Sequence, residues 1–167
     1  MYLDYRKAFD SVPHRRLIEK LKGLGITGML LHWLENFLMS RTMRVGIRGA
    51  LSLIQMILSG VPQDSVLGPL LFLMFVNELP HWIQNEMRMF ADDTKIWCKI
   101  KTEKDCTTLQ EDLDNLSSWS EIWQLKFNAE KCISVIPAEQ KYYMTKGILG
   151  KRKLESVQER DLVLIIR

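Results

Sequence analysis

Phe90-Ala91-Asp92-Asp93-Thr94-Lys95-Ile96-Trp97 sets two adjacent carboxylates between two short apolar runs. Neighbouring carboxylates repel, so a cation is the usual reason to keep them together. Hard divalent ions such as Mg²⁺ take oxygen ligands and keep water positions for a phosphate substrate, so a site of two or three Asp suits phosphate chemistry. Two such ions about 4 Å apart can activate an attacking oxygen and stabilise a leaving one. Asp is also a common turn residue, and the pair alone fits turn chemistry first. A third carboxylate is available at Asp4, which ends the apolar stub Tyr2-Leu3, although an Asp is by default solvated.

The elements that must position these groups follow from periodicity. Met87, Met89 and Ala91 alternate before the pair and Thr94, Ile96 and Cys98 share a face after it, predicting strand, turn and strand with Asp92 and Asp93 at the tip. Lys7 to Pro13 leads into an amphipathic helix from His14 to Leu24, stopped by Gly23-Leu24-Gly25. A second helix is expected from Gly28 to Met39, with Trp33 and Phe37 on one face. Arg41 to Arg48 and Leu51 to Leu58 read as a hairpin around Gly49, followed by a buried helix from Ser65 to about Asn77. Thr107 to Gln124 predicts a long helix whose packed face holds Leu109, Leu113, Leu116, Ile122 and Trp123. A strand is expected over Cys132 to Ile136, a hairpin near Tyr142 to Leu154 and a short strand over Leu162 to Ile166. The sum is an α+β fold, a mainly antiparallel sheet with helices packed on one face.

Composition sets wide limits. The chain has 167 residues, 47% hydrophobic and 26% charged, which suits one globular domain. A net charge of +3 permits nucleic-acid binding without arguing for it. Arg15-Arg16, Arg41 to Arg48 and Lys151-Arg152-Lys153 suit phosphate contacts and solvated faces about equally. Cys98, Cys106 and Cys132 lack paired spacing and suggest neither zinc nor a disulfide framework. His14, His32 and His81 read as surface or satisfied core residues. The longest apolar stretch, Val66 to Val76, is too short to span a bilayer, and no signal peptide precedes it, so a nuclear or cytoplasmic setting is expected.

Three ordered motifs resemble the reverse transcriptases of non-LTR retrotransposons, with the jockey-like LINE group the nearest in appearance. They are Leu3-Asp4-Tyr5-Arg6-Lys7-Ala8-Phe9-Asp10-Ser11-Val12-Pro13, Ser59-Gly60-Val61-Pro62-Gln63-Asp64-Ser65-Val66-Leu67-Gly68-Pro69-Leu70-Leu71-Phe72, and Phe90-Ala91-Asp92-Asp93. Leu109 to Asp114, Trp119, Trp123 and Phe127 to Lys131 resemble the stretch that follows in the same group. The resemblance implies a polymerase palm in which Asp4, Asp92 and Asp93 bind two Mg²⁺ ions, or Mn²⁺. It also implies that Phe9 stands under the sugar of the incoming nucleotide and disfavours a 2′-hydroxyl, and that Gln63 touches nucleotide or template. Lys131 would assist the pyrophosphate leaving group. The implied reaction is RNA-directed DNA synthesis from deoxynucleoside triphosphates on an RNA template and a DNA primer, with no membrane.

Asp64 departs from the family, which has Gly after Pro-Gln. Gly permits positive φ and close approach, whereas Asp adds a Cβ and a negative charge near a polyanionic substrate. Asp64 or Ser65 also suits a helix cap. The resemblance further implies a palm over about residues 1–136 and the start of a palm–thumb connection over 137–167, with fingers largely missing. A catalytically inactive retroelement remnant, kept as an interaction module or without function, is the alternative expectation.

Overall fold

A computed structural model of the chain describes residues 1–136, 148–149 and 152–158. Along it run β1 (Tyr2–Leu3), α1 (Ala8–Ser11), α2 (His14–Gly23), α3 (Gly28–Leu38), β2 (Thr42–Met43), β3 (Gly46–Ile47), β4 (Ala50–Leu51), β5 (Gln55–Met56) and α4 (Leu67–Val76). A 3-10 turn over Leu79–Trp82 leads to β6 (Glu86–Phe90), β7 (Asp93–Trp97), α5 (Glu103–Trp123), β8 (Ile133–Ile136), β9 (Ile148–Leu149), β10 (Arg152–Lys153) and β11 (Glu155–Gln158). Helices and mainly antiparallel strands make the fold α+β. Two compact units emerge, Met1–Arg6 with Glu78–Arg167, and Lys7–Asn77.

The first unit is built on a five-stranded sheet in the order β11-β8-β1-β7-β6. β1 pairs antiparallel with β7 at Tyr2↔Lys95 and Leu3↔Thr94, and with β8 at Tyr2↔Ile133. β6 and β7 form the expected hairpin, from Glu86↔Trp97 to Phe90↔Asp93. Side chains alternate across it: Glu86, Arg88 and Phe90 are exposed, Met87 and Met89 half-buried, and Thr94 and Ile96 buried. β11 runs parallel to β8, a strand that the weak alternation of Glu155-Ser156-Val157-Gln158 does not announce.

Helix α5 begins four residues before its expected start because Thr102 and Asp105 form a capping box. The Lys101 and Thr102 amides and the Thr102 hydroxyl hold the Asp105 carboxyl below its ordinary value. Leu109, Leu113, Leu116 and Trp119 are buried, but Ile122 is 48% exposed, against expectation. At 3.6 residues per turn it stands across the helix from Leu109. β9 and β10 pair antiparallel within the hairpin expected near Tyr142 to Leu154. The rest of that hairpin's first arm and the strand expected over Leu162 to Ile166 lie outside the described residues.

The second unit packs helices around Leu17, Leu21, Leu38, Phe72 and Phe75. α2 buries Lys20, whose ammonium donates to the Phe75 carbonyl and lies 5.0 Å from the Phe75 ring. On α3 the rings of Trp33 and Phe37 stack with centroids 5.6 Å apart. α4 is only half-buried, with Leu70 and Leu73 each 46% exposed. The expected hairpin around Gly49 is a ribbon of two ladders, β2 with β5 and β3 with β4. Arg48 and Gly49, at φ 50 and 86, make the two-residue turn that needs positive φ at both positions. Between Met43↔Gln55 and Gly46↔Leu51 the second strand carries one extra residue, a bulge at 52–54 stitched by Ser52 Oγ to the Val45 amide.

Candidate active site

β1 delivers Asp4 from the middle of the sheet. The Leu3↔Thr94 register sets it beside the start of β7, and Asp4 and Asp93 line one cavity of about 520 Å³ with Phe90, Lys95 and Lys131. Asp92 occupies the second position of the β6–β7 turn, half-buried, whereas Asp93 is exposed and paired across from Phe90. Of the two turn residues only Ala91 has positive φ, at 54, where an L side chain is unfavourable. Such backbone persists when surroundings over-determine it, here the ladder on both sides.

Lys131 reaches Asp4 through a turn that Asn128 writes. The Asn128 amide donates to the Asp4 carbonyl at 2.8 Å, its side-chain oxygen accepts from the Glu130 amide, and its carbonyl accepts from the Lys131 amide at 2.9 Å. The Lys131 ammonium then sits 3.4 Å from Asp4 Oδ2. Tyr5 and Phe127 stack at 4.7 Å, and the Arg6 amide donates to the Lys126 carbonyl, so this segment is tied to the two residues that follow Asp4. Cys132 supports the same peptide: its sulfur accepts from the Asp4 amide at 3.4 Å and its thiol faces the Asp4 carbonyl at 3.7 Å. Burial pushes the Cys132 thiol up, the Asp4 amide opposes this, and the Asp4 charge adds to it. Burial likewise pushes the Tyr5 phenol up, with the Thr94 hydroxyl opposing and the Asp92 charge assisting.

The carboxylates are hard oxygen donors of the kind Mg²⁺ takes, and two of them on one open cavity wall leave room for phosphate and water. In ligand type the residues fit a divalent ion. Among the described residues no three His, Cys, Asp or Glu groups converge as a metal cluster.

Phe9, Gln63 and Asp64 belong to the second unit. Phe9 is half-buried and stacks on Phe72 with centroids 4.7 Å apart. Gln63 is exposed and its amide donates to Asp10 Oδ1 at 2.8 Å. Asp64 is exposed with φ 56, the left-handed region that Gly adopts freely. Ser65, not Asp64, serves the following helix: its hydroxyl accepts from the Gly68 amide at 2.9 Å and donates to the Pro62 carbonyl.

Residue type alone does not mark Asp10 and Gly60, yet the loop hangs on them. Ser59 Oγ donates to the Asp10 carbonyl at 2.9 Å, and a Cβ on Gly60 would lie 2.8 Å from Asp10 backbone atoms. The Gly60 carbonyl accepts from Arg41 at 2.7 Å and from His14 Nε2 at 2.8 Å. That bond puts a proton on Nε2, so the 3.5 Å approach of Arg41 to the same nitrogen is a packing contact between two donors. Burial holds the His14 imidazole below its ordinary value, the Gly60 bond opposes this, and the Arg41 charge adds to it. The signal for this latch is tertiary; only the glycine in Ser-Gly-Val-Pro-Gln hints at it.

Comparison with known proteins places these motifs. The family model described as reverse transcriptase (RNA-dependent DNA polymerase) matches residues 1–152. The chain is 39% identical over 143 residues to the RNA-directed DNA polymerase from mobile element jockey of Drosophila melanogaster, covering 80% of this chain and 16% of that protein. It is 34% identical to the jockey polymerase of Drosophila funebris, over 80% of this chain and 16% of that protein. It is 33% identical to the probable RNA-directed DNA polymerase from transposon BS of Drosophila melanogaster, with the same shares of each chain. The chain thus spans about a sixth of the length of these curated relatives. The matched motifs carry Asp4, the Gly60 loop and the acidic hairpin, and the chain belongs to the reverse transcriptase family.

Proposed function

We propose that residues 1 to 136 are the palm of an RNA-directed DNA polymerase that joins a deoxynucleoside triphosphate to a primer 3′-hydroxyl on an RNA template, in retrotransposition. The observation that carries this reading is the register Leu3↔Thr94, which sets Asp4 and the Asp92-Asp93 hairpin at one end of adjacent strands. Asp4, Asp92 and Asp93 would hold the ions. Bound Mg²⁺, or Mn²⁺, would supply positive charge that lowers the pKa of the attacking hydroxyl and neutralises the triphosphate. Lys131, already against Asp4, is positioned to carry a proton for the departing pyrophosphate. Phe9 is assigned to the sugar and Gln63 to nucleotide or template. Gln63 would exchange its bond to Asp10 for that contact.

One observation favours the second reading, a remnant that persists as an interaction module. Asp64 puts a strained backbone and a negative charge in the loop that would meet a polyanion. Primer extension by the purified chain on an RNA template, with Mg²⁺ or Mn²⁺ and with Asp92→Ala as control, separates the two. Extension that the variant reduces at least about a hundredfold supports the polymerase; equal signals from both rule it out for this chain.

A further inference from the structure

The carboxylate of Asp112, on α5, is wholly buried, and both of its oxygens are used. Oδ1 accepts from the Gln84 amide at 2.8 Å; Oδ2 accepts from the Asn85 amide at 3.0 Å and the Asn85 side chain at 2.8 Å. All three donors lie in the two residues that enter β6. A buried carboxylate is costly unless hydrogen-bonded, and its removal would leave two backbone N–H groups without their acceptor. Two turns further along the same helix, Trp119 Nε1 donates to Glu78 Oε1 at 2.9 Å. α5 therefore fastens both ends of the segment 78–85.

That segment matters because of where β6 lies. Among the described residues β6 is an edge strand, held by β7 on one side. Its inward residues, Met87 and Met89, are half-buried and unbranched, so they specify register weakly. A slip of one residue would exchange the faces of β6 and redraw the turn that carries Asp92. We infer that Asp112, assisted by Trp119, is a positioning residue that fixes the acidic hairpin by pinning the entry of β6 to α5. Its consequence for metal binding rests on the proposed polymerase reading; its consequence for the hairpin does not.

Backbone hydrogen exchange on the full chain tests it, with Asp112→Asn and Trp119→Phe compared with the native sequence. In Asp112→Asn the hairpin amides of Arg88, Phe90, Lys95 and Trp97, which face the partner strand, should exchange about tenfold faster, while α2 and α4 are unchanged. Trp119→Phe should accelerate the same amides less. Mn²⁺ affinity, followed by paramagnetic broadening at Asp93 and Thr94, should weaken about fivefold in Asp112→Asn. Unchanged hairpin exchange, or equal acceleration in both units, overturns the inference. If Asp112→Asn does not fold, Asn85→Ala removes one bond only, and hairpin exchange at the native rate there overturns it equally. Absence of Mn²⁺ binding by the native chain would sink the polymerase reading, while the exchange rates still decide the role of Asp112.

Discussion

Lys131 Nζ stands 3.4 Å from Asp4 Oδ2, where it competes for the oxygen that a cation would need. The pair is partly exposed, so its net worth is at most about 1 kcal/mol. Lys131→Met should therefore raise Mn²⁺ affinity about two- to fivefold in an EPR titration. Unchanged or weaker binding would show that the ammonium does not compete.

Asp64 separates strain from charge. Asp64→Gly relieves a left-handed backbone at φ 56 and should raise stability by about 0.5–1 kcal/mol in urea unfolding. Asp64→Asn keeps the backbone preference and loses the charge, so it should leave stability unchanged and tighten RNA binding in a filter assay. Equal RNA affinity in all three proteins would clear Asp64 of any part in weakening the substrate.

Gly60 is needed for space as well as for φ 90. Gly60→Ala would press a Cβ against the backbone of Asp10, and a loss of about 2–4 kcal/mol is expected. Denaturation at several urea concentrations reads this directly. A native-like midpoint would mean that the loop can part from Asp10 freely.

His14 gives the chain a pH dependence of definite sign. Its folded pKa lies below the unfolded value of about 6.5, so the neutral ring is the one the fold prefers. Its stabilising contribution is present above about pH 6.5 and declines as pH falls through that value toward the folded pKa. Melting temperatures of the native chain and His14→Gln should diverge at neutral pH and converge near pH 5. Parallel curves would contradict the buried neutral assignment.

The acidic hairpin is legible in the sequence because alternation of apolar and polar residues is a local property, and Met87 to Ile96 keeps it throughout. Asp4 is different. Its distance from Asp92 along the chain says nothing of proximity, and the resemblance, not spacing, joined them. Ile122 was expected to pack because it is apolar; the helical phase set by Leu109, Leu113 and Leu116 overrides its type. Asp112 and the Gly60 carbonyl escape a reading by residue because their partners, Asn85 and His14, are brought by tertiary folding. β11 pairs in parallel with β8, and such long-range pairing leaves little imprint on four residues.

The ribbon of β2 to β5 carries a cost for the life of the chain in water. Ile47, Leu51, Leu53, Ile54, Met56 and Leu58 are all more than half exposed, on the short strands and on the bulge and chain that flank them. Open edges bearing such side chains template pairing with other chains. The bulge at 52–54 and Arg44 and Arg48 are the only devices within the ribbon that oppose this. Aggregation should therefore begin there, before any loss of the acidic hairpin, and Ile47→Lys with Leu53→Lys should delay light scattering on heating without altering the melting temperature.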